Sequence, residues 1–484
     1  MTALDVFAIA AAVPERVALI TPERAFTYAE LAERCEGAAR ALAALGAIPG
    51  QRPVALVLRP TVASLVPLLA LIAYGVPVLL LHPRLPTADR AALAHRAGAV
   101  AVLTPDAEPL PGARGSAPSP PRALDPDSPL ALVPTSGSSG APKLVVLSRS
   151  AFVASARASA ANLPLGPDDR WLLCLPVAHV GGLSIVTRAL AAHAAVIAYD
   201  PGSAGLLARV PELASVLRRT GATLLSAVPT LLRALLDASP RWSPPPTLRA
   251  VLLGGAATPV GLLERARARH VPVLVTYGLT EACSQVTTTP LGTEPVIADG
   301  RVSAGRVLPG IELALDEQGR IRLRGPTLCA GYLDGEAPFD ADGFLVTDDL
   351  GRLDEHGNLF VLGRASERIV TGGENVDPAQ VEAVLHTLEG VSSACVFGVP
   401  DERFGELVAC ALAADARFSA SSARALLERS LVPHARPRRL AVFDSLPHLP
   451  NGKLDRVAVK RLAAERLEPW SSPASRPDPQ EGGP

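Results

Sequence analysis

Short apolar runs alternate with helical stretches through the first three hundred residues. From Thr27 to Gly46 apolar residues recur at helical spacing, with Gly46 as a natural stop. The runs RPVALVL, VPVLLL, AVAVLT, LALVPT, RWLLCLP, AVIAYD, ATLLSAVPT, RAVLLGG and VPVLVTYG read as strands, most of them too apolar for a half-exposed sheet. That pattern predicts parallel sheets covered by helices on both faces. From about Gly292 the strands become shorter and more alternating, as in RIRLRG and GNLFVLGR, which predicts a small β subdomain. After Arg364 a helix starts at Pro378, VSSACVFGVP and ELVACALAA read as strands, and SASSARALLERSL as a second helix. The expectation is an α/β fold. A large N-terminal domain over 1–363 has parallel-rich sheets flanked by helices plus a small β subdomain. A small α+β domain over 364–468 follows, then a tail from 469 to 484 too rich in Pro, Ser and Gly to fold.

Size and composition agree with this division. A chain of 484 residues exceeds one ordinary core, and 48% hydrophobic against 19% charged residues is a globular balance. The formal net charge of −1 gives no support to a nucleic-acid partner. The six cysteines are scattered without a CxxC pair, which fits buried reduced thiols in a cytoplasmic protein. Asp5 stands where a secretory signal would carry positive charge. The uncharged stretch Ser64–Leu81 barely reaches spanning length, and Gly75 and Pro77 divide it into a helix and a strand, so no membrane span is expected.

Only three of the 46 basic residues are lysines: Lys143, Lys453 and Lys460. Lys143 closes TSGSSGAPK, in which Thr135, Ser136, Ser138 and Ser139 supply hydroxyls while Gly137 and Gly140 let the backbone approach an anion. This is not a Walker A loop, because Pro142 precedes the lysine and Leu144 follows it, where glycine and a metal-binding hydroxyl are required.

Taken in order, TSGSSGAPK, LPVAHVGGL, LLGGAATP, YGLTEA, TDDLGRLDEHGNLFVLGR and PNGKLDR resemble the motifs of the adenylate-forming superfamily, which includes acyl-CoA ligases, luciferases and peptide-synthetase adenylation domains. The resemblance implies ATP, Mg²⁺ and coenzyme A as cofactor and co-substrates, and a small-molecule carboxylic acid as partner, with a homodimer left open. Thr135–Gly140 and Lys143 would cradle phosphates, and Gly255, Ala256, Tyr277 and Gly278 would receive the adenine side. Thr280 would bond the α-phosphate, and Glu281 would offer a hard oxygen to the metal. Asp349 would bind ribose hydroxyls and Arg364 would bridge ribose and phosphate. Lys453 would place its charge where the new bond forms. Ser366 would be the hinge about which a mobile C-terminal domain turns.

The implied reaction has two steps, adenylation of a carboxylate and transfer of the acyl group to a thiol. Within the superfamily TEACSQVTT and TGGENVDP are similar to the o-succinylbenzoate–CoA ligases of menaquinone synthesis. Their substrate has a second carboxylate, and Arg188, nine residues after His179, suits it as a bidentate cation. His179, Gly182, Arg188 and Ser284 are therefore the expected acid-binding residues. An ordinary surface arginine, and a packed histidine at 179, are the competing readings. Another aryl or short dicarboxylic acid, or a stand-alone adenylating enzyme with a different acceptor, remains the alternative. A peptide-synthetase domain would be expected to continue into a carrier domain, and a nucleotide sensor would be expected to lose Glu281 or Lys453.

Overall fold

The computed structural model describes residues 4–48, 52–108, 110, 117–121, 123–135, 142–239, 242–335, 339–449 and 454–470. Among these, residues to 347 and 352–361 group as one compact unit, and 348–351, 362–449 and 454–470 as a second. Ser136–Gly140, Lys453 and residues 471–484 lie outside the described residues.

The first unit contains two large sheets. In one, Val273–Leu279, Ala250–Leu253, Leu224–Ala227, Arg170–Leu173, Ala195–Ala198 and Val17–Ile20 lie side by side and parallel. Antiparallel strands close its two edges: Ala25–Thr27 on one side, Ser284–Thr288 and Arg306–Val307 on the other. The second sheet has a parallel core of Val102–Leu103, Val54–Val57, Val78–Leu81 and Pro129–Thr135. It continues antiparallel through Lys143–Ser148 and Gly331–Tyr332. The central parallel strands are buried along nearly their whole length, as continuous apolar runs require, whereas the edge strand Val102–Leu103 is not.

The helices follow from caps and stops. Thr27 and Glu30 form a reciprocal capping box at the start of Tyr28–Ala44. Helix Val62–Tyr74 ends at Gly75 in the left-handed region, and the strand Val78–Leu81 follows. Thirteen residues rise only about 20 Å, and among the described residues no helix is long and apolar enough to cross a membrane. Asp5, whose charge argued against a signal peptide, caps the N-terminal helix Val6–Ala12 by accepting from the Phe7 amide at 2.9 Å. All six cysteines are buried and free.

In the second unit Val391–Asp401 pairs along its length with Gly405–Ala414, and the helices Pro378–Leu385, Ala420–Ser430 and Arg456–Ala464 accompany this sheet. Two residues that composition assigns to the tail, Pro469 and Trp470, belong to this unit. Glu468–Pro469 pairs with Arg439–Leu440, and the Trp470 indole donates to the Ala420 carbonyl at 3.3 Å. A strand partner and a packed ring outweigh local composition there.

Arg456 fastens this unit internally. Its guanidinium meets Glu382 at 2.7 Å and Glu367 at 3.1 Å, and donates to the Val396 carbonyl at 2.7 Å. Removing one member of a buried ion pair leaves the other charge without compensation, at a cost of about 3–5 kcal/mol. Arg456→Met is therefore expected to destabilise the second unit by that amount, read as a lower denaturation midpoint. Glu367→Gln, at the half-exposed edge of the cluster, is expected to cost much less.

Candidate active site

The glycine-rich loop joins two antiparallel strands. Thr135 and Lys143 are partners across this hairpin, with the Thr135 hydroxyl donating to the Lys143 carbonyl at 3.5 Å. A strand, not a helix, follows the lysine, a second departure from Walker geometry.

YGLTEACSQ forms a second hairpin. Strand Val273–Leu279 leads through a single 3₁₀ turn, Thr280–Ala282, into strand Ser284–Thr288. Glycine is required at 278, because a Cβ there would lie 1.7 Å from the Ser284 carbonyl oxygen. Cys283 and Ser284 both have positive φ, 52° and 94°, which is costly for residues with side chains. The turn thereby sets Thr280 and Glu281 half-exposed at the tip while Ala282 and Cys283 are buried. Tyr277 belongs to the core at 9% exposure, whereas Gly278, Gly255 and Ala256 are exposed.

Three chain segments meet at Glu281. The Tyr332 hydroxyl donates to Glu281 Oε1 at 3.0 Å, and the Lys143 ammonium stands 4.6 Å from the centre of the same tyrosine ring. The Cys329 amide donates to the Glu281 carbonyl at 2.7 Å, and the Leu333 amide to the Leu144 carbonyl at 2.9 Å. Segment 329–333 therefore links the two hairpins. No group of three metal-ligating side chains occurs among the described residues. A lone carboxylate fits Mg²⁺, which is usually held by one or two carboxylates together with substrate phosphates.

Arg188 is not a surface residue. It lies on the almost fully buried helix Val180–Ala192 and is 3% exposed. Its Nη2 donates to Ser155 Oγ at 3.1 Å, and Ser155 Oγ donates to the Cys283 carbonyl at 2.8 Å. Its Nε has no hydrogen-bond partner among the described residues, nor does the buried Ser184 hydroxyl one turn earlier on the same helix. No carboxylate among the described residues pairs with it, and burial lowers its pKa to about 10, which leaves it charged at neutral pH. Gly182, on that helix, is a packing position, since a Cβ would lie 2.3 Å from the Pro176 carbonyl oxygen.

Helix Arg149–Asn162 presents a polar stripe to the strand that follows the turn. Ser155 bonds Cys283, Ser159 Oγ donates to Gln285 Oε1 at 2.8 Å, and Asn162 donates to the Thr289 carbonyl at 3.1 Å. Their helical spacing in AFVASARASAAN was the available signal, although their partners are remote in sequence. His82 gave no signal. Its ring stacks on His179 with centroids 5.7 Å apart, and its Nδ1 accepts from the Arg84 amide at 3.1 Å.

In the second unit Asp349 and Arg364 approach each other at 3.4 Å. Asp348, on the opposite face of the strand, accepts from the Ser366 amide at 3.1 Å and from its hydroxyl. The adjacent aspartates are thus distinct, with Asp348 engaging Ser366 and Asp349 facing Arg364.

A family model for AMP-binding enzymes matches residues 6–333, and one for the AMP-binding enzyme C-terminal domain matches 380–453. The chain belongs to the AMP-binding enzyme family. It is 32% identical over 479 residues to the 2-succinylbenzoate–CoA ligase of Bacillus pumilus, with 92% of this chain and 95% of that protein covered. The o-succinylbenzoate CoA synthetase of Bacillus subtilis in complex with the acyl-adenylate intermediate OSB-AMP superposes with a TM-score of 0.83. It is 30% identical, with 94% of this chain and 97% of that one covered. The same synthetase in complex with ATP and magnesium gives 0.82 at 29% identity, covering 94% and 98%.

The histidine pair gives this AMP-binding enzyme an acid sensitivity. Burial first, then His179, Arg84 and Arg90, push the His82 pKa from 6.5 down to about 4. The unfolded ring takes up a proton below about 6.5 that the folded ring refuses until about 4. Stability is therefore lost as pH falls through that interval, by at most about 3 kcal/mol. His82→Asn is expected to flatten the fall in melting temperature between pH 6.5 and 4. An unchanged slope would mean that other groups carry the acid sensitivity.

Proposed function

We propose that the protein is an ATP-dependent, AMP-forming carboxylate–CoA ligase that converts 2-succinylbenzoate to 2-succinylbenzoyl-CoA through an acyl-adenylate. The observation that carries the substrate is the buried pair Ser184 and Arg188: a hydroxyl and a guanidinium nitrogen one helical turn apart that have, among the described residues, neither a hydrogen-bond partner nor a paired carboxylate. Burying a guanidinium without a counter-ion costs several kcal/mol. An incoming carboxylate would offset that cost and accept from both groups. A monocarboxylic acid spends its only carboxylate at phosphorus and leaves Arg188 uncompensated.

In the first half-reaction a carboxylate oxygen attacks the α-phosphorus of ATP, the bond to the bridging oxygen breaks and pyrophosphate leaves. Lys143 and the hydroxyl-rich loop would hold the β- and γ-phosphates, and Thr280 would donate to the α-phosphate. Glu281 would hold Mg²⁺, which neutralises phosphate charge when bound. Asp349 and Arg364 would grip the ribose, and Lys453 would balance charge at the forming bond. In the second half-reaction the thiol sulfur of coenzyme A attacks the acyl carbonyl, the acyl–phosphate bond breaks and AMP leaves with the electron pair. Rotation about Ser366 would exchange Lys453 for the thiol approach. His179 and Ser284 would border the acid.

With ATP, Mg²⁺ and CoA, 2-succinylbenzoate is expected to release pyrophosphate far faster than benzoate or a fatty acid, and equal turnover across those acids would contradict the assignment. Arg188→Met is expected to raise the KM for the diacid about 10- to 100-fold, the scale of a charged hydrogen bond, with residual turnover of a monoacid little changed. Equal losses for both acids would make Arg188 structural.

A further inference from the structure

Lys143 and Glu281 carry opposite charges on neighbouring hairpins, yet no ion pair joins them among the described residues. Tyr332 is the partner of both. The ammonium rests on the ring face 4.6 Å from its centre, and the hydroxyl at the ring edge donates to the carboxylate at 3.0 Å. The ring is fixed by its backbone. Tyr332 lies opposite Val145 in the short strand Gly331–Tyr332, with the Ala330 amide on the Val146 carbonyl, the Leu333 amide on the Leu144 carbonyl and the Cys329 amide on the Glu281 carbonyl.

A direct lysine–glutamate pair would be the simplest use of these two side chains. Such a pair would have to break before either group could serve a polyphosphate or a cation. A tyrosine gives each charge a neutral partner: the ring quadrupole attracts the ammonium, and one O–H donor stabilises the carboxylate. Neither interaction cancels a charge, and the tyrosine engages one carboxylate oxygen, Oε1.

We propose that Tyr332 is a positioning residue that keeps the Lys143 ammonium and the Glu281 carboxylate separate and individually charged, ready for the polyphosphate end of ATP and its metal. This rests on the ligase reading of the same site. Tyr332 acts on the metal-bound β,γ end of the nucleotide alone, so its loss should distinguish MgATP from AMP.

The test is calorimetric titration of the whole protein with MgATP and, separately, with AMP, in the absence of any acid. Tyr332→Phe keeps the ring and deletes the hydroxyl; it should raise the Kd for MgATP about tenfold, the scale of one hydrogen bond to a charged group, and leave the Kd for AMP unchanged. Tyr332→Leu also removes the ring and frees Lys143 to pair with Glu281, so it should weaken MgATP further with AMP again unaffected. An unaltered Kd for MgATP in both variants would overturn the proposal while the ligase reading stands. So would equal weakening of MgATP and AMP, which would make Tyr332 merely a folding residue. Wild-type protein that binds neither nucleotide would overturn the ligase reading and the role of Tyr332 with it.

Discussion

The turn from Gly278 to Ser284 is the constraint on which the site depends. Its two strands approach so closely that position 278 has no room for a side chain, and closing it requires positive φ at two residues that do have side chains. Strain of this kind persists only where surrounding bonds over-determine the backbone. They do so here: Cys329 holds the Glu281 carbonyl, Ser155 holds the Cys283 carbonyl, and Ser159 fixes Gln285. Through these bonds one turn aims Glu281 toward Tyr332 and Lys143, and its backbone is tied through Ser155 to Arg188. The proposed nucleotide and acid pockets are therefore built on one short piece of chain.

A common electrostatic device appears on both sides of that turn. Arg188 is held by a serine and, among the described residues, paired with no carboxylate; Lys143 and Glu281 are each held by a tyrosine. Neutral groups position the charges without neutralising them. Where charge serves structure, as at Arg456, it is paired directly with Glu382 and Glu367. Around the turn the charges are left for a ligand, whereas at Arg456 they are satisfied within the protein.

Much of the fold was legible because buried parallel strands must be continuous apolar runs, and each of the nine runs read as strands contains one. The antiparallel edge strands and the N-terminal helix capped by Asp5 were not foreseen, since short edge strands and a seven-residue helix carry little periodic signal. Trp470 escaped the composition reading for a similar reason: its partners, Arg438 and Ala420, are remote in sequence. At the proposed site the sequence singles out Lys143, Glu281 and Arg188 but not what holds them. Tyr332, Ser155 and His82 act through contacts between segments far apart in the chain, which no local pattern encodes. Family membership follows from the motif order; the burial of Arg188 becomes visible only once helix Val180–Ala192 is seen packed inside the unit.

The central claim is that a buried guanidinium selects an acid with two carboxylates. A crystal structure of the protein with a non-hydrolysable 2-succinylbenzoyl-adenylate analogue tests it most directly. The account predicts the free carboxylate of the acyl group about 2.7–3.0 Å from the Arg188 guanidinium, with the Ser184 hydroxyl also in reach. A free carboxylate directed to solvent, with Arg188 still bonded only to Ser155, would contradict it.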